Sequence, residues 1–118
     1  QMPSALLVNL SCNRIGQLCE INMPHLLILN LSRNCLKRIS GLEQCLSLEE
    51  LYLQNNNIDS LAGLTHLGKL NILYLNNNDL SKPAELERLN SNPSINCLTL
   101  RHNPMYRNEN FIDKLKSD

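Results

Sequence analysis

The sequence predicts an α/β solenoid. About five short coils stack side by side, with a parallel β-sheet on the concave face, short helical turns on the convex face and a C-terminal helical cap. Three observations predict it. Asparagines recur at Asn13, Asn34, Asn56, Asn78 and Asn103, spaced 21, 22, 22 and 25 residues apart. The same apolar pattern surrounds each of them. The apolar content is aliphatic: leucine is abundant, and the only aromatics are Tyr52, Tyr74, Tyr106 and Phe111.

Positions are numbered here relative to the asparagine of each coil. Position −8 holds Ala5, Leu26, Leu48, Leu70 and Ile95; position −5 holds Val8, Leu29, Leu51, Leu73 and Leu98. Position −3 holds Leu10, Leu31, Leu53, Leu75 and Leu100, and position +2 holds Ile15, Leu36, Ile58, Leu80 and Met105. All twenty are apolar. The pattern LxxLxLxxNxL is the leucine-rich repeat signature. Its LxL core alternates with period two, which makes a short strand whose leucines face one way. One repeat cannot bury its own leucines, whereas stacked neighbours bury a continuous column. Strands are therefore expected near 7–9, 28–30, 50–52, 72–74 and 97–99, in coils spanning about 5–25, 26–47, 48–69, 70–94 and 95–105, with a cap over 106–118.

Only QMPS precedes the first coil and nothing amphipathic shields it, so a fragment of a longer chain is expected. The first three coils continue with apolar residues at +5 and +8: Leu18 and Ile21, Ile39 and Leu42, Leu61 and Leu64. The fourth breaks this rule at Pro83 and resumes at Leu86. Its three extra residues lie in KPAELERLNSNP. Pro83 suits a first helical turn, Glu85 and Glu87 favour a helix N-terminus, and Leu86 and Leu89 share a face, so a true helix is expected there. In the closing NENFIDKLKSD, Phe111, Ile112 and Leu115 form the apolar face of a cap helix.

The composition excludes several functions. Eleven Lys and Arg balance eleven Asp and Glu. A neutral chain without a basic run offers no generic surface for nucleic acid or an acidic membrane. Lys37-Arg38 and Lys114/Lys116 read as solvated basic pairs. No run approaches the roughly 20 apolar residues of a membrane span, and no secretory signal is visible. Five cysteines without a CxxC pair (Cys12, Cys19, Cys35, Cys45, Cys97) argue against a disulfide framework or zinc knuckle; buried free thiols in a reducing compartment are expected. The sequons at Asn9 and Asn30 fall inside expected strands and read as accidents of composition.

The coil asparagines, Asn13, Asn34, Asn56, Asn78 and Asn103, are expected to form a ladder of amides satisfying main-chain groups where the chain leaves each strand. Asn55 and Asn57, beside Asn56, read as polar contacts or solvated surface. The side chains between the inward leucines project from the concave sheet. Position −6 carries Leu7, Ile28, Glu50, Ile72 and Cys97, and −4 carries Asn9, Asn30, Tyr52, Tyr74 and Thr99. Position −2 carries Ser11, Ser32, Gln54, Asn76 and Arg101, and −1 carries Cys12, Arg33, Asn55, Asn77 and His102. This is an apolar stripe bordered by amides and arginines, with two tyrosines stacked on adjacent strands. Tyr and Arg are favoured at interface hot spots. The expected partner-binding set is Ile28, Arg33, Glu50, Tyr52, Gln54, Ile72, Tyr74, Asn76 and Arg101, with Tyr52, Tyr74, Arg33 and Arg101 as anchors. The occupant would be a partner helix or extended segment. The bland alternative is that these aliphatics need no partner, since scattered apolar surface is normal.

No catalytic, cofactor or metal residues are expected. His25, His66 and His102 lie in different coils with no HxxxH spacing, and no GxSxG, P-loop or GxGxxG occurs. Cys97 and His102 lie on or beside one strand five residues apart, and a packed or idle thiol is the expected reading.

The 22-residue coil with NxIxxIxxL, as in NNNIDSLAGL and NCLKRISGL, resembles the class named after the leucine-rich regulator of type 1 protein phosphatase, over roughly residues 5 to 105. The ending HNPMYRNENF resembles the start of that class's C-terminal cap, although Tyr106-Arg107 follows Asn103-Pro104 unusually closely and the closing LPxLxxLD is absent. The lengthened fourth coil before an Asn-Pro looks most like the axonemal dynein light chain type. This resemblance implies a noncatalytic scaffold with a protein partner and no small-molecule substrate, direct nucleic-acid contact, membrane contact or cofactor. It implies an intracellular, cytoplasmic address, with cilium, cytoskeleton and nucleus within the range of the class. A ciliary or cytoskeletal adaptor and a phosphatase-targeting subunit are the leading versions. The alternatives are an assembly subunit of a nuclear ribonucleoprotein complex, as in the class's spliceosomal member, and an interaction module of a larger multidomain enzyme.

Overall fold

The computed structural model describes residues 7–107. Five three-residue strands form one parallel sheet in chain order: β1 (Leu7–Asn9), β2 (Ile28–Asn30), β3 (Glu50–Tyr52), β4 (Ile72–Tyr74) and β5 (Cys97–Thr99). Their register pairs Val8 with Leu29, Leu29 with Leu51, Leu51 with Leu73 and Leu73 with Leu98. Equivalent positions therefore stack coil upon coil, at the strands the repeat spacing predicts. Each coil returns the chain to the height at which it began, so every inward residue meets its counterpart.

The core is a column of aliphatic side chains. Leu26, Leu29, Leu31, Leu48, Leu51, Leu53, Leu70, Leu73 and Leu75 have no solvent exposure, nor have Leu36, Ile58 and Leu80 at +2. At the two ends of the stack, Val8, Leu10, Ile15, Ile95 and Leu98 are only partly buried. An inward column at position −11, which the signature does not include, adds Cys45 and Leu67, both fully buried, and partly buried Met23. Asn92 takes the same place eleven residues before Asn103, at the end of the fourth coil. Its Nδ2 donates to the carbonyls of Leu64 and Leu67 at 2.9 Å each, closing two main-chain groups of the coil before.

Inter-coil hydrogen bonding runs past the strand ends. The −1 residues of the first four coils donate their N–H to the −2 carbonyl of the next coil: Cys12 to Ser32, Arg33 to Gln54, Asn55 to Asn76 and Asn77 to Arg101, at 2.9–3.0 Å. All five −1 residues, His102 included, have positive φ, between 57° and 63°. This left-handed turn swings the chain out of the sheet, and Asn tolerates it better than most residues. Asn55, half-buried, also serves the turn through its backbone, a role its side chain alone does not announce.

The coil asparagines sit just beyond. Asn34, Asn56, Asn78 and Asn103 each donate from Nδ2 to the −3 carbonyl of their own coil and of the coil before. Each also accepts, at Oδ1, the +2 N–H of the coil before. All twelve of these distances fall between 2.8 and 3.1 Å. Asn13 differs: it is exposed, and among the described residues its amide bonds carbonyls of its own coil, Leu10 and Ser11. The +1 N–H groups of Cys35, Asn57 and Asp79 reach back to the +2 carbonyls of Ile15, Leu36 and Ile58. In the last coil +1 is Pro104, which has no N–H, and Met105 makes the equivalent bond to Leu80.

On the convex side the second and third coils return through consecutive tight turns, Cys45 N–H to Leu42 then Leu48 to Cys45, and Leu67 N–H to Leu64 then Leu70 to Leu67, at 3.0–3.2 Å. Gly63 has φ +99°, and a Cβ there would lie 2.2 Å from the Ile39 carbonyl oxygen; Gly41 (φ +78°) is similarly pressed against Cys19. The helix expected in the fourth coil is a 3₁₀ helix, Pro83–Ser91. A 3₁₀ helix rises about 2.0 Å per residue against about 1.5 Å for an α-helix, so the same residues cover more of the return path. Glu85 stands in the first turn of this helix, as expected, and also ties the helix to the coil before. Its Oε1 accepts the Leu61 N–H of the preceding coil at 2.8 Å, the Ser60 hydroxyl and Arg88 Nε. The Leu61 N–H chiefly holds its carboxyl below the ordinary range.

The expectation of buried thiols is corrected. All five cysteines are free, but only Cys45 is buried; Cys12, Cys19 and Cys35 are exposed and Cys97 is half-buried. Cys12 and Cys35 occupy −1 and +1, outward positions on either side of the coil asparagine, and so lie outside the inward columns. A second 3₁₀ turn, Pro104–Arg107, follows the last coil. The cap expected over 106–118, with Phe111, Ile112 and Leu115, lies outside the described residues from 108 onward.

Candidate functional site: the concave sheet

Odd-numbered steps from the inward leucines put −6, −4 and −2 on the open face of the sheet, and the structure arranges them as three parallel columns. Leu7 is 58% exposed, while Ile28, Glu50, Ile72 and Cys97 beside it are half-buried by their neighbours across the strands. Glu50 is the one charged member of this column. Strands here lie about 4.8 Å apart, so Ile28 and Ile72 flank Glu50 at one strand spacing on either side.

Tyr52 and Tyr74 pair directly in the register of β3 and β4. Their ring centroids are 4.9 Å apart with planes at 80°, an edge-to-face contact and not the stacked pair expected. The quadrupoles of the rings favour this geometry over a sandwich. The Tyr52 hydroxyl donates to Glu50 Oε1. That bond, with burial behind it, pushes the Tyr52 phenol up to about 12, because ionisation would set a phenolate against a carboxylate. Glu50, Tyr52 and Tyr74 thus form one constellation at the centre of the sheet.

Around it the polar columns bond among themselves. Asn30 Oδ1 accepts both the N–H and the hydroxyl of Ser32, at 3.0 and 2.8 Å, and leaves Ser32 buried. Thr99 Oγ1 donates to Asn76 Oδ1 at 2.9 Å. Gln54 is half-buried, with an Oε1 that has no protein partner. Asn76 also joins Asn77, Ile95, Leu98, Arg101 and His102 in lining an open cavity of about 890 Å³ beside the last coil. Arg33 and Arg101 are exposed at the far rim, where the chain leaves the strands.

Eight of the nine residues singled out from the sequence stand in these three columns, and Arg33, at −1, stands in the turn beyond them. Sequence reasoning missed the Glu50–Tyr52 bond, although an acid two residues before a tyrosine in a strand places both on the same side. It also missed the left-handed −1 position, whose signal was Asn55 and Asn77 at matching places. Cys97 and His102 occupy −6 and −1, opposite ends of the face, about 16 Å of strand rise apart. Among the described residues, no group of three or more His, Cys, Asp or Glu could hold a metal ion, and no helix is long and apolar enough to cross a membrane.

Comparison with known proteins supports the repeat reading. A family described as leucine-rich repeats, two copies, matches residues 24–66. No curated protein sequence matches the chain. Among solved structures, the U2A′ chain of the Drosophila melanogaster SNF/U2A′ complex superposes with a TM-score of 0.84 at 24% identity, covering 92% of this chain and 65% of that one. The internalin InlF of Listeria monocytogenes gives 0.68 at 24% identity, with 85% of this chain and 36% of that one. InlJ of the same bacterium gives 0.61 at 21% identity, with 80% and 20%. This chain spans under two thirds of each of those chains. The matched residues 24–66 are leucine-rich repeats by sequence, the coils on either side continue their spacing and hydrogen bonding, and the chain has the leucine-rich-repeat fold.

Proposed function

We propose that the chain is a noncatalytic protein-interaction scaffold that holds a partner helix or extended segment against its concave sheet. The observation that carries this reading is the Glu50–Tyr52–Tyr74 constellation. It places two half-buried aromatic rings, edge to face on β3 and β4, beside the Ile28–Glu50–Ile72 column in the middle of the sheet. Leucine-rich-repeat proteins bind protein partners, and U2A′ was solved in complex with SNF. The ciliary or cytoskeletal adaptor and the phosphatase-targeting subunit remain the proposed settings, in the cytoplasm.

A second reading, assembly subunit of a nuclear ribonucleoprotein complex through protein contacts, draws support from the likeness to U2A′ over most of this chain. A salt-titrated RNA-binding assay separates protein-mediated assembly from direct RNA contact, since direct phosphate contacts weaken steeply with salt. The concave-face reading is tested by affinity capture. A protein enriched on the native chain should be lost on Tyr52→Ala/Tyr74→Ala and kept on the convex variant Lys37→Glu/Arg38→Glu. Equal capture by all three chains contradicts it.

A further inference from the structure

The concave face is electrically two-sided. Across positions −7 to −1 of the described coils, the acidic residues are Glu49 and Glu50, at −7 and −6 where the chain enters β3. The arginines are Arg33 at −1 and Arg101 at −2, where the chain leaves β2 and β5. Between these borders run the neutral side chains: Ile28, Ile72, the two tyrosines and the amides. Glu49, Arg33 and Arg101 are exposed, so both borders are open to an incoming partner.

The dimensions select the occupant. From −6 to −2 is four residues of extended chain, about 13 Å. An α-helix with its side chains is about 10–12 Å across, so one helix fills the space between the borders with its flanks beside both. Five strands span four spacings, about 19 Å, or about 13 residues of helix. A helix lying along the sheet would meet the columns at i, i+3/i+4 and i+7, which matches successive strands.

We propose that the partner segment is an amphipathic helix whose charges are segregated. An apolar ridge would cover the tyrosines, a basic flank would face Glu49 and Glu50, and an acidic flank would face Arg33 and Arg101. This rests on the concave-face reading and adds the partner's chemistry to it. Segregated borders also set the direction in which the partner runs, because reversing the helix exchanges its flanks and brings like charges together.

The test uses three labelled 18-residue helical peptides with the same leucine ridge. One carries Lys on one flank and Glu on the other, one carries Lys on both, and one carries Glu on both. Fluorescence anisotropy on the native chain should show the segregated peptide binding at least about tenfold tighter than either uniform one, with the difference shrinking in high salt. The Glu49→Lys/Glu50→Lys chain should instead prefer the all-Glu peptide, and Arg33→Glu/Arg101→Glu the all-Lys peptide. Circular dichroism on each variant verifies that it is folded. Equal affinity for the three peptides, or no binding by any, overturns the segregated-helix proposal. Binding of the segregated peptide that survives Tyr52→Ala/Tyr74→Ala undiminished overturns the concave-face reading instead.

Discussion

The Leu36 N–H donates to Asn56 Oδ1 at 3.0 Å, so a backbone group of one coil is closed by a side chain of the next. The same amide donates to the Leu53 and Leu31 carbonyls, and Asn56 is only 6% exposed. Replacement by Leu keeps the volume and removes all three bonds, leaving buried main-chain groups unpaired. Asn56→Leu should destabilise the chain by about 1–3 kcal/mol in urea denaturation. Asn13→Leu, at the exposed end of the ladder, should cost less than about 1 kcal/mol. Equal losses at the two sites would contradict the ladder's role.

Gly63 tests the convex turn. A methyl group there would meet the Ile39 carbonyl oxygen on a backbone with φ +99°, whereas a Cβ at Gly16 meets nothing within 4 Å. Gly63→Ala should lower stability by about 2 kcal/mol or more, and Gly16→Ala should be close to neutral. Thermal unfolding of the two variants side by side reads the difference.

Arg33 holds φ 57° with a full side chain, where Asn55 and Asn77 hold 63° and 60° with a residue suited to it. Arg33→Asn should therefore stabilise the chain by about 0.5–1 kcal/mol. A loss of stability would mean that the guanidinium makes a contribution larger than the backbone strain.

The Tyr52 phenol is raised from 10.0 to about 12, chiefly by its bond to Glu50. A group whose folded pKa lies above its unfolded value stabilises the fold in full below the unfolded value. That contribution is lost as pH rises through the folded one, here between about pH 10 and 12. The phenolate absorbance of the native chain minus that of Tyr52→Phe should titrate near 12, and Glu50→Gln should move it back toward 10. A midpoint near 10 in the native chain would show that the bond does not persist in solution.

Strand positions were legible because twenty apolar residues in strict register admit one stacking. The tyrosine pair and the apolar column followed from alternation along LxL. Less was visible where backbone geometry decides. The positive φ at −1 is shared by Cys12 and Arg33, which carry no preference for it, and only Asn55, Asn77 and His102 hinted at it. Asn92 stands at an inward position that Cys45 and Leu67 fill with apolar atoms, and its polar role appears only once the Leu64 and Leu67 carbonyls are seen beside it. The 3₁₀ form of Pro83–Ser91 depends on the span the coil must cover, which no local propensity encodes.

The central claim is that the concave sheet, through Tyr52 and Tyr74, is the partner-binding surface. Its most direct test is calorimetric titration of the protein captured by the native chain into the native chain and into Tyr52→Ala/Tyr74→Ala, with both confirmed folded by matching circular dichroism. Removing two aromatic hot-spot candidates should weaken the dissociation constant by at least about thirtyfold, or about 2 kcal/mol. The same affinity for both chains would contradict the account.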